Sequence, residues 1–220
     1  MVDPGCDDSS SAWQQIFASR WPGVTRSLGL GVALESIGVK PAAVTHVLIT
    51  HAHEDHFAGV MVERDSQLSA RFPRARHLMG RADWEGNPRR EEAGSTLAAR
   101  LGGIERLGLL DLIDGGREVA PGVTMIPSPG ETPGHCVVCL RSGGETFYYL
   151  GDLIHHPCEV DHPDWMPGQA RDRSTLLASR ARLLPEIATS RALVVFTHER
   201  FPGWGRIVPA GAGFRWERDW

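Results

Sequence analysis

The chain has 220 residues, 41% of them hydrophobic, enough to fill the core of one globular domain spanning 1–220. Its net charge of −4 argues against a nucleic-acid partner, which would favour a basic face. No apolar run approaches the roughly 18 residues needed to span a bilayer, and the opening MVDPGCDDSSSAWQQ lacks the basic start and apolar centre of a signal peptide; composition therefore points to a cytoplasmic protein with no membrane partner.

In chain order, THVLIT (45–50) reads as a buried strand, and HFAGVMVERDSQLS behind it as a helix with Asp55 near its start. ARHLMG (75–80) reads as a strand, and GVTMIPSPG (122–130) as a strand ending in a Pro/Gly turn. CVVCLRS and TFYYLGD read as two strands joined at Gly143–Gly144. STLLASRARLL (174–184) reads as a helix capped by Ser174, with Leu176, Leu177, Leu183 and Leu184 on one face. Pro185 is expected to kink or end it. ALVVFT (192–197) is a last central strand. Strands, loops and helices alternating around central hairpins imply helices packed on mixed sheets, an α+β fold.

The four cysteines, Cys6, Cys136, Cys139 and Cys158, suggest no disulfide framework. Cys136 and Cys139 form a CxxC in a β-branched segment, where positions three apart point to opposite faces. No second CxxC completes a four-thiolate zinc site, so the pair reads as two small buried hydrophobes.

Polar clusters recur where apolar strands end. VLIT is followed by His51, FYYLG by Asp152, and LVVFT by His198, while His135 precedes a strand in the turn ETPGH. Loops at strand ends, carried on a rigid sheet, are where sites are built. The densest cluster is His51-x-His53-x-Asp55-His56. On an extended segment the rings of His51 and His53 can point the same way, and Asp55 and His56 come next as the chain turns into a helix. One loop could thus offer two pairs of ligands to two nearby ions. Imidazole and carboxylate suit zinc, and also manganese, iron or cobalt. Two ions need more ligands than these four, and His135, Asp152 and His198 are available at the later strand ends. Leaving such a cluster buried and unpaired would cost several kcal/mol. His46, His77 and His162, which stand alone, read instead as surface or satisfied core histidines.

With these residues in view, the chain resembles the metallo-β-lactamase fold superfamily. THAHEDHFAG matches its HxHxDH signature, TPGH the turn with its third histidine, YLGD its bridging aspartate, and FTH its last histidine. The resemblance implies one metal on His51, His53 and His135, and a second on Asp55, His56 and His198, with Asp152 bridging both. It implies an αββα sandwich of two mixed sheets flanked by helices. VDPG at the start resembles the family's turn in which an aspartate supports the metal histidines, which assigns that role to Asp3. Only Met1 and Val2 precede this turn, so the expectation is a sandwich lacking its first strands.

The chemistry so implied is metal-assisted hydrolysis of a small molecule. Two divalent ions lower the pKa of a bridging water and polarise the bond under attack. Asp55 and Asp152 are ligands that could also take part in proton transfer. GDLIHHP and THERFPGWGRIV resemble the lactonase and organophosphate-hydrolase group, which implies a lactone, carboxyl ester or phosphotriester as substrate. Where quorum-quenching lactonases carry a tyrosine, three residues after the bridging aspartate, this chain has His155. That tilts the expectation toward the ester or phosphotriester side, with His155 donating to the developing oxyanion. Persulfide dioxygenases with a single iron share the scaffold and form the alternative, as does a metal-binding protein without activity. A homodimer is compatible with the sequence. Trp204, just behind a ligand loop, reads as core first and as an apolar pocket wall second. Trp13, Trp21, Trp165, Trp216 and Trp220 have no assignable role.

Overall fold

The computed structural model describes residues 1–5, 19, 29–168 and 171–218. Cys6, Trp13, Trp21 and Trp220 lie outside them. The chain forms two units, Met1–Leu112 and Ile113–Trp220, each with its own apolar core.

The first unit runs α1 (Leu30–Ser36), β1 (His46–Leu48), α2 (Glu54–Phe57), β2 (Met61–Arg64), β3 (Gln67–Ala70), β4 (Arg76–Gly80), α3 (Arg81–Glu85), α4 (Thr96–Arg106) and β5 (Leu110–Ile113). Its sheet has the order β1-β4-β5, and β1 pairs with β4 in parallel, Leu48 opposite Leu78. The N-terminal residues add to the free side of β1. Val2 bridges Leu48, Asp3 N donates to Leu48 O, and Leu48 N donates to Met1 O, both at 2.9 Å. The strand edge is therefore paired rather than open. Val47, Ile49, Phe57, Phe72, Trp84, Leu101 and Ile104 fill the core.

The structure corrects one expected element here. The helix read over HFAGVMVERDSQLS is a single turn, α2, followed by a 3-10 turn at Ala58–Val60 and the β2–β3 hairpin. Asp65 and Ser66 at its tip both have positive φ, 48° and 61°, the backbone that lets strand twist continue through a two-residue turn. Gly59, inside the 3-10 turn, has no room for a side chain. A Cβ there would meet Pro4 O at 2.5 Å, so the chain passes too close for a side chain.

The second unit runs β6 (Arg117–Ala120), β7 (Val123–Pro127), β8 (Cys136–Ser142), β9 (Glu145–Tyr149), α5 (Cys158–Asp161), α6 (Arg173–Ser190), β10 (Leu193–Val195), β11 (Trp204–Ala210) and β12 (Gly213–Arg218). One sheet of order β12-β11-β10-β9-β8-β7-β6 holds all seven strands. It is mixed: β9 and β10 are parallel, and the other neighbouring strands pair antiparallel. Helix α6 buries Leu176, Leu183, Leu184 and Ile187 in a core with Val137, Tyr148, Val194 and Phe196. Leu177 is only half-buried.

For α6 the expected cap is corrected, and Pro185 is found not to end the helix. Its N-cap is Asp172, whose carboxylate accepts from Thr175 N at 3.1 Å, while Ser174 Oγ donates to it at 2.8 Å. These bonds hold the Asp172 carboxyl below its ordinary pKa. The helix also runs through Pro185 to Ser190. A proline inside a helix costs about 3 kcal/mol. Burial of Ile187 and Ala188 beyond it offsets that cost, at roughly 1.5–3 kcal/mol for a large aliphatic side chain. Among the described residues Cys136, Cys139 and Cys158 form no disulfide, and the first two are buried in the sheet.

Candidate functional site

In the first unit, β1 delivers Thr50 and His51 to the end of the sheet, both buried. Asp3 organises the loop beyond it. Its backbone φ of 37° turns the carboxylate under that loop. Oδ1 accepts from Thr50 N at 2.8 Å, and Oδ2 accepts from Thr50 Oγ1 at 2.7 Å and from His56 Nδ1 at 2.8 Å. Having given its proton to Asp3, Thr50 Oγ1 accepts from His51 Nδ1 at 3.0 Å. The network therefore puts the protons of His51 and His56 on Nδ1 and a lone pair on each Nε2.

That is the tautomer a metal-binding imidazole needs, set by an oxygen behind the ring. His51 Nε2 lies 2.8 Å from His53 Nδ1, and the rings of His51 and His56 are 4.1 Å apart. His56 Nε2 is 3.7 Å from Asp55 Oδ2. Sequence reasoning missed Asp83 on α3, a buried carboxylate that accepts from Ala52 N at 2.8 Å and pins the loop between the two leading histidines. It also missed the buried Arg100, which donates to Ala58 O at 2.6 Å and to Met61 O at 2.9 Å and so fixes the turn behind His56.

The second unit presents a matching set. His135 sits on the turn between β7 and β8, where its Nδ1 lies 2.8 Å from Ser128 Oγ and 3.1 Å from Ser128 O. Its Nε2 accepts from Asp152 N at 3.0 Å, so here too the lone pair is on Nε2. Gly130 lets this turn lie against α6: its φ is 132°, and a Cβ would come within 2.3 Å of the Leu176 backbone. Asp152, buried in the loop after β9, has Oδ1 3.2 Å from His198 Nε2 and Oδ2 3.0 Å from His155 Nε2. One donor atom each from Asp152, His155 and His198 lie within 4.8 Å of one another. The rings of His155 and His198 stack, 5.5 Å between centroids and 8° from parallel.

Two buried arginines complete this unit, and neither has a local sequence signal. Arg171 pairs with Glu131 in a two-pronged contact through Nε and Nη2, one edge of its guanidinium. Arg180 pairs with Glu159 and donates to Leu153 O and Pro163 O at 2.8 Å and to Trp165 O at 2.6 Å. Burial lowers the Arg180 pKa, against the raising effect of Glu159. The loop that begins at Asp152 and carries His155 is thereby tied to α6. A cavity of about 560 Å³ opens beside the His135 turn, between Thr132, Pro133, Arg171 and Thr175.

Each unit thus gathers its share of the expected residues: His51, His53, Asp55 and His56 in the first, His135, Asp152, His155 and His198 in the second. The lone histidines stand apart. His46 Nδ1 contacts Thr45 Oγ1, His162 stacks on Trp165, and burial pushes His77 down to about 4. Trp204 is not core. It is 40% exposed beside Phe201, which is 95% exposed, because β11 begins at the surface. Trp216 is half-buried, edge-on to Phe196. The donor chemistry fits a divalent ion: neutral imidazoles with their lone pairs assigned by outer partners, and carboxylates beside them.

The model of the metallo-beta-lactamase superfamily matches residues 1–198. An N-acyl homoserine lactonase of Bacillus cereus is 23% identical over 206 residues, covering 90% of this chain and 76% of its own. Among solved structures, a candidate metal-dependent hydrolase from Staphylococcus aureus has a TM-score of 0.81 at 20% identity, over 99% of this chain and 76% of its own. A dizinc quorum-quenching lactonase in complex with its product has a TM-score of 0.69 at 23% identity, over 90% and 72%. The motifs, the α+β fold and the family match agree: the chain belongs to the metallo-beta-lactamase superfamily.

Proposed function

We propose that this protein is a hydrolase that uses two divalent metal ions, zinc first among them, to open a lactone or a related carboxyl ester. The observation that carries this reading is the set of outer partners on the histidines. Thr50 behind His51, Asp3 behind His56 and Ser128 behind His135 each direct a lone pair to Nε2. Histidines serving only as core or surface residues have no need of three such partners.

On this reading His51, His53 and His135 hold one ion, Asp55, His56 and His198 hold the other, and Asp152 is shared. When bound, the ions supply an activated water and positive charge at the bond being cleaved. The chain's own residues do the rest. Asp55 and Asp152 keep a carboxylate beside the reacting centre, able to receive a proton. His155, beside Asp152, donates a hydrogen bond to the oxygen on which negative charge develops. Relatives named as N-acyl homoserine lactonases support a lactone as the first substrate class to try. The His155 position, where such enzymes carry tyrosine, keeps open-chain esters and phosphotriesters in the same screen.

The test is elemental analysis of protein purified without chelator, followed by hydrolysis assays on N-acyl homoserine lactones, aryl esters and phosphotriesters. About two zinc, manganese or cobalt ions per chain and turnover of one class are expected. A single iron with oxygen consumption on a persulfide would replace this reading with that of an oxidoreductase. His155→Phe is expected to lower kcat about 100-fold with metal content unchanged, the size seen when one oxyanion donor is removed. Undiminished kcat would remove His155 from the mechanism.

A further inference from the structure

The proposed hydrolysis leaves one group of reactive side chains in the second unit without a task. Among the described cysteines, Cys136 and Cys139 are buried in the sheet, whereas Cys158, at the start of α5, is only half-buried. Its Sγ lies 3.1 Å from Nδ1 of His156, whose side chain is 62% exposed. That nitrogen also accepts from Cys158 N at 3.2 Å, so it carries the lone pair and the ring proton is on Nε2. The thiol therefore has an acceptor for its own hydrogen. Beyond Nε2, at 3.7 Å, stands Oε2 of Glu199, whose side chain is 8% exposed and whose Oε1 accepts from Arg218 Nη2 at 2.9 Å. The carboxylate is too far for a hydrogen bond but close enough to favour the imidazolium once a proton arrives. Thiol, imidazole and carboxylate thus follow one another in the order of a nucleophile, its base and a group that steadies the base.

We propose that Cys158 is a site of thiol–disulfide exchange with small-molecule disulfides, with His156 as the base that takes its proton. Burial, and then the nearby Glu159 carboxylate, hold the thiol above its ordinary pKa, so unaided it stays protonated and slow to react at neutral pH. A base in contact with the sulfur removes that obstacle. In the exchange the S–H proton passes to His156 Nδ1, and the Cys158 sulfur attacks one sulfur of the disulfide. A new S–S bond joins Cys158 to that half, and the old S–S bond breaks. The other half leaves as a thiolate and takes the proton back from His156. Cys158 is oxidised, the departing half is reduced, and no further reactant is needed. Cys158, His156 and Glu199 have no part in the proposed hydrolysis, so the two readings stand or fall separately.

The test treats the full chain with oxidised glutathione, quenches with acid at intervals, and reads the adduct at each cysteine by peptide mass mapping. Cys158 is expected to react faster in the native chain than in the urea-unfolded chain, where the three groups are no longer together. A half-buried thiol of raised pKa without a base would show the opposite order. His156→Ala, checked for folding by thermal unfolding, is expected to slow the native reaction at least about tenfold. Added imidazole is expected to restore part of that rate by occupying the place of the exposed ring, which a purely structural role would not allow. Native Cys158 slower than unfolded, an undiminished rate in His156→Ala, or a loss that imidazole leaves unrestored would overturn the proposal. If the variant does not fold, the comparison of native with unfolded chain still decides it.

Discussion

Replacing Arg180 by methionine should be among the most damaging single changes outside the proposed metal-holding residues. Its side chain is 1% exposed, it faces the buried Glu159, and it donates to three backbone carbonyls of the segment 153–165. Methionine fills much of the volume but supplies no donor. Removing one partner of a buried pair costs about 3–5 kcal/mol, because a charge is left uncompensated in a poorly solvated place. The orphaned carbonyls of Leu153, Pro163 and Trp165 push toward the upper end, unless water reaches them. At roughly 2–4 °C per kcal/mol for a chain of this size, the melting midpoint should drop by about 6–20 °C. Urea unfolding followed by fluorescence and circular dichroism gives the free energy and shows whether the two probes coincide. Adding Glu159→Leu should recover at least about 1 kcal/mol, because the stranded carboxylate is then gone. A single-variant cost below about 1 kcal/mol, or no recovery in the double variant, would show that the pair does not hold this loop.

Two further perturbations test other parts of the structure. Asp3→Ala removes the shared acceptor of Thr50 and His56 and should weaken metal binding about 10–100-fold in a chelator competition, the usual effect of losing an outer partner; unchanged affinity would mean that Asp3 does not set the His56 tautomer. Burial pushes His77 down to about 4, so the unfolded chain binds the extra proton first as acid is added. Stability should therefore be fully present above pH 6.5 and decline as pH falls toward 4. The loss reaches on the order of 3 kcal/mol. His77→Leu should flatten that part of the urea-stability profile, and an unchanged slope would show that His77 is not the group responsible.

The residues proposed to hold metal stand out in the sequence because their spacing is local and their places derive from strand ends. His51, Asp152 and His198 each come after a β-branched or aromatic run that becomes β1, β9 or β10, and the sheets then carry them to a common level within each unit. The hairpin at Met61–Ala70 was not readable, because VERDSQLSA mixes good helix formers with a weak alternation. Its turn is Asp65–Ser66 rather than the Asn-Gly that announces such turns. Pro185 does not end its helix for a related reason: a local penalty was outweighed by burial that only the tertiary structure reveals.

The partners that decide the chemistry were the least readable of all. Arg171 finds Glu131 across 40 positions and Arg180 finds Glu159 across 21, and no periodicity links them. Asp3 reaches His56 across 53 positions, and only the family resemblance hinted at it. A motif such as HAHEDH names the rings but not which nitrogen of each carries the proton. That choice belongs to Thr50, Asp3 and Ser128, placed by the fold behind the histidines. Two chains with the same motif and different outer partners can therefore offer a substrate a lone pair in one case and a donor in the other. If substrate range within this scaffold diverges by such changes, the residues to compare are those behind the rings, beginning with the position of Asp3.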